Sequence, residues 1–106
     1  MLTAVETSDE TLVPGSFTLS QNYPNPFNPS TLINYEVPGT SFVSLRIYNL
    51  LGQRMRTLFE GVRAAGSYSI QWDGLNDSGE QVAAGLYFLR MTTDNLVLSR
   101  KMLLVK

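Results

Sequence analysis

From Phe17 onward, apolar and polar side chains alternate with a period of two, as they do when successive residues point to opposite faces of a sheet. In Thr31–Val37, Ile33, Tyr35 and Val37 share one face and Asn34 and Glu36 the other. Pro38-Gly39 then stops the strand. In Phe42–Leu50, Val43, Leu45 and Ile47 oppose Ser44 and Arg46, and Asn49–Gln53 makes the turn. Arg54–Glu60 is the least regular segment, with Met55, Thr57 and Phe59 against Arg54, Arg56 and Leu58. Ser67–Trp72 is the clearest half-buried strand: Tyr68, Ile70 and Trp72 lie on one face, and Trp72 is expected at the centre of the core. Asp73–Gly79 is dense in turn formers. Leu86–Thr93 follows, a short turn at Asp94-Asn95 comes next, and the last strand spans Leu96–Lys106. About seven strands punctuated by Gly and Pro, with no helical run, predict an all-β antiparallel sandwich.

One stretch breaks the alternation. In Gln21–Thr31 (QNYPNPFNPST), Pro24, Pro26 and Pro29 fix φ and push Tyr23, Asn25 and Asn28 out of the helical region. The segment is expected to be a rigid strap pinned to the sandwich by burial of the Tyr23 and Phe27 rings, each contributing about 1.5–3 kcal/mol when fully covered.

Composition narrows the chemistry. The chain has 106 residues, 43% of them hydrophobic and 16% charged, which suits one domain with its own core. It has no Cys and no His. That removes thiolate nucleophiles, Ser-His-Asp arrangements and zinc sites with the usual ligands, argues against a conventional enzyme, and predicts no cofactor. No basic-then-apolar start and no apolar run of about 20 residues is present, so neither a signal peptide nor a membrane helix is predicted. The net charge of −1 is unevenly placed: residues 1–13 carry Glu6, Asp9 and Glu10 and no base, leaving six acids against all eight bases in the rest. Residues 1–16 therefore read as a polar linker to an upstream protein and 17–106 as the domain. The scattered bases make a nucleic-acid surface a poor fit.

Several of these pieces resemble a known family. QNYPNPFNPST at 21–31, INYEVP at 33–38, LRIYNLLGQ at 45–53, AGSYSIQWDG at 65–74, AAGLYFLRM at 83–91 and SRKMLLVK at 99–106 closely resemble the type A C-terminal sorting domain of the type IX secretion system. The short pieces WDG and GLYF are shared with the related immunoglobulin-like domain of flagellar hook-capping proteins. The strap, with Asn22, Tyr23, Pro24, Asn25, Pro26, Phe27, Asn28 and Pro29, and the basic, apolar terminus are the more specific part.

The resemblance implies an immunoglobulin-like sandwich that acts as an address label rather than a catalyst. Its bearers reach the periplasm of a Gram-negative, Bacteroidetes-type bacterium and cross the outer membrane through the type IX translocon. They are commonly cut before the domain by a surface sortase, leaving the cargo at the cell surface or secreted. The implied partners are the translocon, an outer-membrane shuttle protein, the sortase and the covalently joined cargo, with no small-molecule substrate. The implied recognition residues are Arg100, Lys101, Met102, Leu103, Leu104, Val105 and Lys106, and cleavage maps to Val13, Pro14, Gly15 and Ser16. A terminal strand could present its edge for main-chain pairing with a partner; equally, Met102 and Leu104 on one face and Leu103 and Val105 on the other could mark a core strand with a cationic cap.

Three weaker signals remain. Asp73, Asn76, Asp77 and Glu80 offer oxygen ligands in a loop that does not match the EF-hand spacing, so a plain hairpin loop is favoured over calcium and no metal site is predicted. Glu36 and Glu60 fall on solvent faces. The aromatic residues sit mostly at core positions, which leaves an accessory carbohydrate-binding or adhesion module as the alternative function, to be supported by a coplanar pair of exposed rings.

Overall fold

The computed structural model describes residues 15–106, so the expected linker, apart from Gly15 and Ser16, lies outside the described residues. The alternating segments form strands β1 (Thr18–Leu19), β2 (Thr31–Val37), β3 (Ser41–Tyr48), β4 (Arg54–Arg63), β5 (Gly66–Trp72), β6 (Gly85–Thr92) and β7 (Val97–Leu104). They make two antiparallel sheets, one of order β1-β2-β5 and the other β4-β3-β6-β7. This is the immunoglobulin-like β-sandwich expected from the sequence, with its core between the inner faces.

Period-two patterning holds where one face is buried. Ile33, Tyr35 and Val37 of β2 face Val43, Leu45 and Ile47 of β3, Leu89 and Met91 of β6 and Met102 of β7 across the core, all shielded from solvent. Trp72, expected at the centre of the core, is fully buried but sits at one end of it, as the last residue of β5 opposite Thr31, the first of β2. Phe27 packs on it at 5.5 Å between ring centroids, Tyr87 meets it edge-on at 5.5 Å, and its indole N–H donates to the Leu75 carbonyl at 2.9 Å. A buried indole without such a partner would lose a hydrogen bond to water uncompensated.

β4 is irregular for an identifiable reason. Register shifts between Leu45 and Arg46 and between Ile47 and Tyr48 leave Leu58 and Met55 of β4 unopposed by β3. Each shift moves the side chains to the other face, so no single alternation describes the strand. The strand also continues past Glu60, to Arg63. There the Arg63 guanidinium lies over the Phe59 ring at 3.9 Å and the Tyr68 ring at 4.6 Å, and its Nε donates to the Tyr35 hydroxyl at 3.2 Å. This cluster ties the two sheets together along one side of the sandwich.

Candidate functional site

β7 is the last strand of the four-stranded sheet, and one of its edges faces away from β6. An uncovered edge of this kind presents a row of unpaired N–H and C=O groups. In this domain the strap covers its C-terminal half. The Gln21 side chain donates to the Lys101 carbonyl at 2.6 Å and the Asn25 Oδ1 accepts the Leu103 N–H at 3.0 Å. The Phe27 N–H donates to the Leu103 carbonyl at 2.9 Å, and the Phe27 carbonyl accepts the Val105 N–H at 3.0 Å, making a short parallel bridge. Prolines alternate with the residues that bond, so the strap supplies donors only where it is not proline.

The strap is itself fixed from below. The Asn22 amide, buried, donates to the Pro24 carbonyl at 3.2 Å and to Thr31 Oγ1 at 2.9 Å, and the Thr31 hydroxyl also donates to the Pro24 carbonyl. Gly74, at φ +81°, lets the following loop approach closely: a Cβ there would stand 3.1 Å from the Pro29 carbonyl oxygen. One sequence expectation is corrected. Phe27 is buried as foreseen, but Tyr23 is 79% exposed. Tyr23 spends its main chain on an isolated bridge to Leu32, and the buried Asn22 takes the inward position beside it.

The terminal residues divide by role. Met102 and Leu104 are core residues and Leu103 is half-buried with both main-chain groups held by the strap. Arg100 Nε donates to the Leu19 carbonyl at 2.7 Å, closing the side of the sandwich between β7 and β1. Lys101, Val105 and Lys106 are exposed. Of the cleavage region, Gly15 and Ser16 are exposed, and Val13 and Pro14 lie outside the described residues. Thus strap and terminal strand, distant in sequence, form one unit.

The Asp73–Glu80 loop uses its oxygens internally. Asp73 Oδ1 accepts the Leu75 N–H and faces Arg56, while Asn76 Oδ1 accepts the N–H groups of Ser78 and Glu80. Asp77 Oδ1 accepts the Thr57 N–H at 3.0 Å, its N–H donates to the Met55 carbonyl at 2.8 Å, and its other oxygen faces Arg54 at 3.5 Å. The loop thereby caps the outer edge of β4. Among the described residues no group of three or more acidic side chains is gathered for a metal. A cavity of about 30 Å³ between Pro29, Gly74, Val82 and Leu104 has room for a water or two, not a substrate.

Elsewhere, Arg46 pairs with Glu60 at 3.0 Å, a bond that foremost raises its pKa, and Arg90 lies over the Tyr48 ring at 4.5 Å. Sequence reasoning saw these bases as scattered. Only the strand registers reveal that Arg46, Arg54, Arg90 and Lys101 share one face.

Residues 30–96 match the family model of the FlgD Ig-like domain. The chain belongs to the FlgD Ig-like domain family. The FlgD-like match covers the sandwich from β2 to the end of β6 and stops short of most of the strap and of β7. No curated protein matches the chain. Among solved structures, FlgD from Xanthomonas campestris, described for hook capping in flagellar assembly, is 26% identical with a TM-score of 0.57 over 92% of this chain and 72% of its own. Latent PorU from Porphyromonas gingivalis shares the fold at 19% identity and a TM-score of 0.66, over 79% of this chain. PorZ, a surface component of the type IX secretion system of the same organism, shares it at 15% identity and a TM-score of 0.51, over 85% of this chain. The chain spans 9% of PorU and 11% of PorZ.

Proposed function

We propose that this FlgD-like sandwich is a non-catalytic C-terminal sorting signal that directs an upstream cargo protein across the outer membrane by the type IX route. The observation that carries the reading is the joining of QNYPNPF to KMLLVK through Phe27, Leu103 and Val105. These two segments hold the specific part of the sequence resemblance, and they lie largely outside the family match at 30–96. The likeness to PorU and PorZ supports the fold of such a domain. On this reading the cargo is joined upstream, a sortase cuts near Val13–Ser16, and the shuttle and translocon read a surface built around the terminal strand. The domain then travels through the periplasm to the cell surface.

The test fuses residues 1–106 behind a periplasmic reporter in a bacterium with a working type IX system. Reporter outside the cell supports the reading, and reporter held in the periplasm with a folded domain refutes it. The second reading is a structural domain of the hook-capping kind, favoured by the 26% identity with FlgD. It expects the reporter to remain in the periplasm. An accessory carbohydrate-binding module gains nothing specific, because the exposed rings among the described residues, Tyr23 and Phe42, stack neither on each other nor on another ring.

A further inference from the structure

Leu45, Ile47, Leu89, Met91 and Met102 point inward from the four-stranded sheet and are shielded from solvent. The residues between them therefore point outward. The registers set Arg46 opposite Arg90, Tyr48 opposite both Arg54 and Phe88, and Phe88 opposite Lys101. Four cations share this outer face with two carboxylates, Glu60 of β4 and Asp77, which reaches Arg54 from the loop after β5. The outer face of the three-stranded sheet differs: Asn34, Ser67, Ser69 and Gln71 lie there with Glu36 and no base. The cationic character is thus particular to one sheet.

Arg46 and Arg54 are paired with Glu60 and Asp77, whereas Arg90 and Lys101 have no ion-pair partner among the described residues. Like charges directly opposite on a ladder repel, yet Arg46 and Arg90 stand so. Arg46 Nε is buried with no hydrogen-bond partner. Among the described residues, no carboxylate compensates the charges of Arg90 and Lys101. The same face exposes apolar area: Phe42 and Leu86 are each 40% exposed, Val97 56% and Val62 66%. Arginine, aromatic rings and surrounding aliphatic surface are the composition of a protein interface rather than of a solvated sheet.

We infer that the outer face of the four-stranded sheet, centred on Arg90 and Lys101, docks an acidic protein surface. The inference rests on the sorting reading and names the face and chemistry by which the export partner holds the domain. Partner carboxylates meet Arg90 and Lys101, and apolar side chains cover Phe88, Leu86 and Val97. Charge complementarity selects the partner and speeds encounter, while the apolar area holds the complex. An anionic bilayer fits less well: among the described residues the sheet face carries only two cations without an ion-pair partner, and no helix is present to lie in the lipid interface.

The test places Arg90→Glu with Lys101→Glu in the complete chain behind the periplasmic reporter, beside wild type and an opposite-face control, Asn34→Glu with Gln71→Glu. Export reduced at least ten-fold in the first variant alone, with its melting temperature kept, is the expected result. Lys101→Glu, at an exposed site, serves if the double variant melts early, and it too should lower export. Wild-type export by the folded Arg90/Lys101 variant overturns the inference while leaving the sorting reading intact, and so does an equal loss in the control. Co-sedimentation of the purified chain with phosphatidylglycerol vesicles that the double variant abolishes overturns it in favour of a lipid surface. Failure of the wild-type fusion to be exported is the separate outcome that removes the sorting reading, and the inference falls with it.

Discussion

Phe27 and Leu103 are bound to each other through the main chain, the Phe27 N–H donating to the Leu103 carbonyl at 2.9 Å, while the Phe27 ring packs 5.5 Å from Trp72. One residue thus anchors the strap in the core and seals the edge of the terminal strand. The strap-facing edge over Leu103–Val105 is occupied in the folded domain, so a partner that reads this region meets side chains there rather than unpaired main chain.

Phe27→Ala should therefore act twice. Removing a fully buried ring costs about 3–5 kcal/mol of folding stability by creating a cavity, and slackening the strap exposes the β7 edge. Urea denaturation measures the first effect, and faster hydrogen exchange at the Leu103 and Val105 amides reports the second. A loss below about 1 kcal/mol would mean that the ring is not a core anchor.

Shortening the chain from its end spares the buried core only at the last two residues. Lys106 and Val105 are exposed, although the Val105 N–H bonds Phe27, so removing Lys106 should change stability by less than about 0.5 kcal/mol. Removing Leu104–Lys106 deletes a buried leucine as well, and should cost about 2–5 kcal/mol. Equilibrium unfolding of the two truncations checks the contrast. Loss of export in the longer truncation would then report unfolding, whereas Lys101→Glu tests recognition directly.

The strands were legible because burial on one face writes itself into alternate residues. β2, β3, β5 and β6 fall within two residues of their expected spans, and Trp72 is buried as its neighbours Tyr68 and Ile70 suggested. β4 was only partly legible: its two bulges each flip the faces, and a pattern read at fixed period loses them. The proline spacing in the strap showed rigidity but not destination. Its partners are the Lys101 carbonyl and the main chain of Leu103 and Val105, and main-chain groups are the same in every residue. The cationic face was hidden for a similar reason, since Arg46, Arg90 and Lys101 become neighbours only through strand register.

Calcium should leave the melting temperature unchanged. The Asp73, Asn76 and Asp77 oxygens that a calcium ion would need already accept main-chain N–H groups or face Arg54 and Arg56. Asp77→Ala, by contrast, leaves the Thr57 N–H without its acceptor and uncaps the β4 edge, with a cost of about 1–2 kcal/mol because the site is exposed enough for water to replace part of the bond. Thermal melts with calcium and with chelator, on wild type and on Asp77→Ala, test both statements. A calcium-dependent rise in the wild-type melt would require the loop to open and rebind.

The last prediction concerns Tyr87, whose ring meets Trp72 and whose hydroxyl donates to the Ala83 carbonyl. Burial raises its pKa above the ordinary 10.0, because the phenolate would lose hydration in the core. The unfolded chain therefore gives up this proton first as the pH rises. The contribution of Tyr87 to stability is full below pH 10.0 and is lost as the pH climbs from there through the folded value. Tyr87→Phe keeps the ring and removes the titration. It should cost about 1 kcal/mol near neutral pH through the lost hydrogen bond. The gap between wild type and Tyr87→Phe should then narrow as the pH is taken from about 8 to about 11, since only the wild type has a phenol to ionise. Urea unfolding of both proteins across that range measures it. A constant gap would show that the Tyr87 phenol is not held neutral by burial.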